Sequence, residues 1–447
     1  MCLLCENPEA KTLQTLTMLD CAGCPNLTQL PAMPALTHLN CSQCPNLAQL
    51  PSLPVLTHLY CKGCLNLTYL PSLPALTFLD CSVCSNLIRL PESLTVLTSL
   101  DCRSCPKLTY LPSLPALIFL DCDYCTGLTQ LSSLPVLARL DCTGCPNLTQ
   151  LPSLLALISL TCDSCHDLTQ LPSLPDLTSL HCSGCPNLVR LPESLPALIE
   201  LICAHCPNLN QLPESLPALT RLDCFGCPNL IQLPLMPALT YLDCVNCLNL
   251  TQLPALLPDL TELYCSTCPS LIQLPSLPTL IWLVCTYCPN LTKLDEMPAL
   301  RYLFCHHCPN LTQLPESLPD LTNLKCHDCS SLTQLPLIPA LILLDCSNCP
   351  WLDCSNCPMP RLNPDYQQNM TRLLRLQTWF RRWAPLKRMQ RWVRSKEFNT
   401  WYYSPGQPGQ LRSEKRWHKR CVKRPRENEE SGVRKKPRCK PEGLATC

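Results

Sequence analysis

Cysteine pairs three residues apart are the most chemically loaded feature of this sequence. Seventeen Cys-x-x-Cys pairs follow one another from Cys21/Cys24 to Cys346/Cys349. Thiolates at this spacing supply half of a tetrahedral zinc site, and two stacked pairs would complete one. The same pairs could instead form disulfides between units, or act as small buried apolar groups with a weak donor. Burial is the reading that the pattern favours, because each cysteine falls on an inward position. The closest cluster, Cys346, Cys349, Cys354 and Cys357, is the one zinc candidate that the spacing singles out. A nucleophilic cysteine needs a base and an oxyanion site. His306, His307 and His327 lie near Cys308 and Cys326 in sequence, but nothing in a ladder of near-identical cysteines marks one as the nucleophile. With ten glycines in 447 residues there is no Gly-rich phosphate loop either. The expectation is a protein that is not an enzyme and needs no cofactor.

What must position these residues is a repeat. Successive first cysteines stand 20 residues apart in eleven intervals and 21 in five, which is a structural period. Each unit carries Leu, Leu, Cys, Cys and Leu at fixed offsets, as at Leu36, Leu39, Cys41, Cys44 and Leu47. Alternation through Leu39 and Cys41 predicts a short strand. The second half of the unit, typified by LTQLPSLPA, has two prolines three residues apart. That spacing excludes a helix and matches one turn of polyproline II. Twenty residues cannot bury their own leucine face, so units must stack and pair their strands in parallel. Seventeen strands at ~4.8 Å make an object of roughly 80 Å. Four of the 21-residue intervals contain Pro-Glu-Ser, at Pro91, Pro192, Pro213 and Pro315, and the fifth runs through Pro254-Ala-Leu-Leu. The extra residue therefore belongs to the return segment.

Residues 16–350 resemble a leucine-rich repeat of LxxLxLxx(N/C)xxL form. The LPxLP return is similar to the repeats of bacterial type III effectors and of repeat proteins in large amoeba-infecting DNA viruses. This resemblance implies a leucine-rich-repeat solenoid whose curved parallel β-sheet lines a concave, partner-binding face, with an irregular, polyproline-II-like convex side. The sequence departs from the pattern in placing Cys where the third strand Leu and the usual Asn would stand. With about 90 residues following the repeats, the expectation is that the ubiquitin-ligase domain some bacterial effectors carry is not part of this sequence. The expected organisation is a cap or partial repeat over residues 1–15, the repeat domain over 16–358, a basic, aromatic helical segment over 359–403, and a disordered basic tail over 404–447.

Positions that flank the inward strand leucine vary from copy to copy and face the open side of the sheet. One column after that leucine stacks Asp80, Asp101, Asp121 and Asp141, a row of like charges that invites a cationic partner. Further along, Tyr241, Tyr264, Trp282, Val284, Tyr302 and Phe304 form an apolar, aromatic patch of the kind that anchors interfaces. The recurrent aspartates could descend from one duplicated parent unit. The aromatic residues differ in type between copies and are less easily inherited.

The net charge of +1 hides an asymmetry. Residues 1–360 carry 11 Lys/Arg against 26 Asp/Glu, about −15, and the remainder carries 23 against 7, about +16. An acidic body with a basic tail suggests that the tail docks on the body, or binds nucleic acid or an acidic protein. In the tail Leu373, Leu376, Phe380 and Trp383 fall at helical spacing. LQTWFRR, containing Arg381 and Arg382, and MQRWVRS, containing Arg391 and preceded by Arg388, resemble the first half of a calmodulin-binding IQ motif. Both lack its trailing Gly and distal Arg. The run Arg434-Lys435-Lys436-Pro437-Arg438 reads as a nuclear-import signal or a solvated charge run. Forty-one cysteines would suit a secreted disulfide scaffold, but the opening MCLLCENPEAKTLQ lacks a basic region leading into an apolar run. The expectation is a cytoplasmic protein, with the nucleus as the alternative, no membrane contact, and six Asn-Leu-Thr sequons that are by-products of the repeat. Binding a protein partner through the sheet face is the leading functional reading, and nucleic-acid binding through the tail is the alternative.

Overall fold

The computed structural model describes residues 14–349, all within one of the chain's two units, residues 1–362. The first 13 residues, and everything expected of the segments beyond Cys349, lie outside the described residues.

Seventeen three-residue strands, from Met18–Asp20 to Leu343–Asp345, form one parallel sheet in which each strand pairs with its counterparts in the neighbouring repeats. The register is uniform: Leu39 stands opposite Leu59, Leu59 opposite Leu79, and Leu79 opposite Leu100. The described residues form a leucine-rich-repeat solenoid. Only Gln14 and Thr15 are helical among the described residues. No helix of the described residues is long and apolar enough to cross a membrane.

The period follows from the inward residues. In the second repeat they are Leu36, Leu39, Cys41, Cys44, Leu47, Leu50 and Leu53, all buried, with Leu56 opening the next unit. The step is two residues across the strand, from Leu39 to Cys41, and three everywhere else. One step of two and six of three close the 20-residue turn. A step of two is what a pleated strand requires, and a step of three suits an extended, proline-rich return. Units of 21 residues take their extra residue at one fixed place, as a step of four from Leu90 to Leu94, Leu191 to Leu195, Leu212 to Leu216, Leu253 to Leu257 and Leu314 to Leu318. Strand register is untouched, as expected. Fragments of a second parallel ladder link the return segments, seen in Gln273–Leu274 paired with Lys293–Leu294 and in the bridges Gln29 to Gln49 and Tyr69 to Arg89.

Each described cysteine has a defined place in this core. After the strand, the first cysteine's backbone N–H extends the ladder to the next repeat, as Cys41 donates to Tyr60 O at 2.8 Å. The second cysteine's thiol donates to the carbonyl of the first cysteine one repeat earlier. This contact recurs at all sixteen junctions, from Cys44 on Cys21 to Cys349 on Cys326, at 3.0–3.2 Å. A buried carbonyl without a donor would carry a desolvation cost of about 1–3 kcal/mol. The thiol offsets it in a space too apolar to suit a charged donor. No disulfide forms among the described cysteines.

The residue before each second cysteine adopts a left-handed conformation in all seventeen repeats. Glycine fills it at Gly23, Gly63, Gly144, Gly184 and Gly226, and the other twelve repeats place a side chain there at φ of 55–63°. Val83 and Thr267 are β-branched and so are the most strained of these.

Candidate functional site

The open face of the sheet is built from the first and third residues of each strand, because the middle leucine points inward. The fixed register aligns these side chains into two columns at the strand spacing. What each stretch of a column does depends on residue type.

In the acidic stretch, Asp80, Asp101, Asp121 and Asp141 are in register, as the sequence implies. Each carboxylate accepts a backbone N–H two residues on: Ser82 N to Asp80 at 3.0 Å, Arg103 N to Asp101 at 3.2 Å, Asp123 N to Asp121 at 3.2 Å, and Thr143 N to Asp141 at 3.1 Å. The aspartates thus fasten the turn that leads into the Cys-x-x-Cys segment, the usual work of an Asp beside its own backbone. Asp223 and Asp243 do the same, on Phe225 N and Val245 N. Arg103 supplies part of the countercharge from within the chain, lying 2.5 Å from Asp101 and 3.2 Å from Asp121. Asp121 is only 7% exposed, so it presents little to a partner. Burial raises the Asp121 carboxyl above its ordinary range. Burial, with the adjacent Asp141 carboxyl, raises that of Asp123 to about 8. Asp243 is pushed up to about 7 by burial and by Asp223.

The aromatic stretch is arranged differently. Trp282 packs on Tyr302 with ring centroids 4.4 Å apart and on Phe304 at 5.6 Å, while Tyr241 and Tyr264 lie 5.6 Å apart. The guanidinium of Arg221 sits 3.9 Å from the Tyr241 ring centre, and the ammonium of Lys325 sits 5.1 Å from that of Phe304. The rings therefore lie between a cation at either end. Tyr264 donates from its hydroxyl to Glu262 at 3.3 Å. All five rings are partly exposed, whereas Val284 is buried at 7% and serves to support them. The Trp282 indole N–H is buried with no acceptor among the described residues. A native structure rarely leaves such a donor unpaired.

Two further groups stack in the structure, the first in columns the period already aligned and the second not foreseen from sequence. His38 and His58 stack face to face at 4.5 Å, and Phe78 continues the row and touches Tyr60 at 4.9 Å. These occupy the same columns near the other end of the sheet, and their alignment was visible in the period. The second is the cluster of His306, His307 and His327, which as isolated surface histidines would simply be solvated. The repeat instead stacks them: His306 lies on His327 at 4.3 Å, and Tyr287 lies on His307 at 4.5 Å. Burial, then the neighbouring His327, drives His306 down to about 3. His327 lies 3.3 Å from the Asp345 carboxylate, which it holds down at about 2.

Of the zinc candidate, Cys354 and Cys357 lie outside the described residues, and so do the basic residues Arg381, Arg382, Arg388, Arg391, Lys435, Lys436 and Arg438. Cys346 and Cys349 are half-buried at the end of the described stack, where the Cys326 thiol beside it lowers Cys349 to about 7.

The parallel in-register sheet, the leucine and cysteine columns and the variable open face make the described residues a parallel solenoid of leucine-rich repeats. Among solved structures the chain is similar to YopM from Yersinia enterocolitica WA-314, at 28% identity over 78% of this chain and 91% of that one, with a TM-score of 0.41. No protein-family model and no curated protein matches the chain.

Proposed function

We propose that the protein is a non-enzymatic interaction scaffold that holds a protein partner on the open face of its sheet, through Tyr241, Tyr264, Trp282, Tyr302 and Phe304. The observation that carries this reading is the aromatic band itself, five partly exposed rings from the strands of four successive repeats, packed as a pair and a trio. Large aromatic side chains with few rotatable bonds dominate interface energetics, and placing them on rigid strands lowers the ordering cost of binding. The cations at Arg221 and Lys325 leave the rim suited to a partner with carboxylates around an apolar centre. The orphaned Trp282 N–H fits the same reading, since it is kept where stability alone would not keep it.

Affinity capture from the native host, with the intact chain and with a Trp282→Ala/Tyr302→Ala/Phe304→Ala variant, tests this. The parent should retain a defined protein that the variant loses, with the thermal melt of the two solenoids within a few degrees. Equal capture by both would remove the site.

A further inference from the structure

The stacked histidines form the most unusual side-chain cluster outside the aromatic band. His307 and Asp328 occupy the same left-handed position in neighbouring repeats, at φ of 57° and 58°. The backbone pins them one above the other, since His307 N donates to His327 O at 3.0 Å and Asp328 N to Ser347 O at 2.9 Å. As a result His307 Nδ1 stands 3.5 Å from Asp328 Oδ2. One ring nitrogen each of His307 and His327 and one carboxylate oxygen of Asp328 lie within 4.8 Å of one another. The side chains are about a third exposed, with His327 somewhat less, so an ion can reach them.

The side chains that would hold these ligands in place are present as well. The Asp345 carboxylate lies 3.3 Å from His327 Nδ1, the Tyr287 ring backs His307, and the His306 ring backs His327. Such outer contacts fix the ring orientation of metal-ligating histidines. Nδ1 of His306, whose ring backs His327, is buried without a hydrogen bond, and with His327 Nδ1 turned to Asp345 the other ring nitrogen of His327 is left to face an ion.

We propose that His307, His327 and Asp328 bind one divalent transition-metal ion of the zinc class, with water completing its coordination. Bonds of about 2.0–2.2 Å to a tetrahedral ion set donors roughly 3.4 Å apart, close to the 3.5 Å already found between His307 and Asp328. The wider separations close by small rotations of partly exposed side chains. Two imidazoles and a carboxylate suit a borderline ion, and the set is distinct from the cysteine ladder, whose neighbouring Cys308 and Cys329 thiols donate to backbone carbonyls.

Titration of the intact, phosphine-reduced chain with Co²⁺, followed by absorption, tests the site and its ligands together. About one equivalent should bind, with visible d–d bands and no thiolate charge-transfer band in the near ultraviolet. His307→Gln and Asp328→Asn should each raise the Kd at least about tenfold, while Cys349→Ser leaves it unchanged. A thiolate band, unchanged affinity in both variants, or no binding at millimolar Co²⁺ would overturn the proposal. Should either variant unfold, the parent answers through chemical modification with diethyl pyrocarbonate. Zn²⁺ should protect His307 and His327 from it, and equal modification with and without Zn²⁺ would contradict the assignment.

Discussion

The strands from Phe78–Asp80 to Arg139–Asp141 and those from Tyr241–Asp243 to Tyr302–Phe304 use the same columns of the same sheet in opposite ways. In the first stretch the residue after the inward leucine is Asp every time, and each Asp fastens its own turn. In the second the column passes from Asp243 to Tyr264, Val284 and Phe304, side chains that cannot accept a backbone N–H. The turn then finds support elsewhere, as where Ser266 Oγ accepts Thr286 N at 3.1 Å. Aspartate at this position is therefore a structural default of the repeat. Its replacement by an aromatic residue gives up a local hydrogen bond, and the replaced positions are where selection for something other than stability is visible.

The largest expected effect lies in binding. Trp282→Ala alone should weaken a captured partner by about 100-fold in a direct titration, whereas Asp80→Asn, Asp101→Asn and Asp141→Asn together should change affinity by less than about threefold. The reverse ranking would exchange the roles of the two stretches.

The next effect is a pH dependence of stability. The Asp243 carboxyl is raised to about 7 in the folded protein, so the fold binds a proton there that the unfolded chain gives up near pH 4. Its stabilising share is complete below about pH 4 and disappears as the pH rises through about 7. Asp243→Asn keeps an acceptor for Val245 N and removes the charge. It should be more stable than the parent by about 1–3 kcal/mol at pH 8 and equal to it at pH 4, by denaturant titration.

Smaller effects separate the turn devices. Asp80→Ala should cost about 1 kcal/mol by removing the acceptor for both Ser82 N and Ser82 Oγ. Val83→Gly, at the strained left-handed position, should gain about 0.5–1 kcal/mol in the same assay. A loss at Val83→Gly would mean that the side chain's packing outweighs its strain.

Much of the architecture was legible because a repeat states its geometry many times over. The parallel sheet, its register and the fixed site of the extra residue all follow from where Leu, Cys and Pro recur. The inward aim of both cysteines was legible too, from the step of two through Leu39 and Cys41. The thiol-to-carbonyl ladder was not, since sequence places a sulfur in the core without saying which acceptor it meets one repeat away. The open-face columns could be read down to single residues, but not their burial. Val284 and Asp121 stand in the right columns and are covered by their neighbours. The stacking of His306, His307 and His327 was not legible, because adjacency in a solenoid runs across repeats, twenty residues apart, and stacking depends on ring orientation.

Site-specific photo-cross-linking gives the most direct test of the contrast between the two stretches. A photoreactive side chain placed at Tyr302 and, in a separate protein, at Ser99 probes the same column of the same sheet in the aromatic and the acidic stretch. The account predicts a discrete protein adduct from position 302 that disappears with Trp282→Ala, and none from position 99. Adducts of equal yield at both positions, or at position 99 alone, would contradict it.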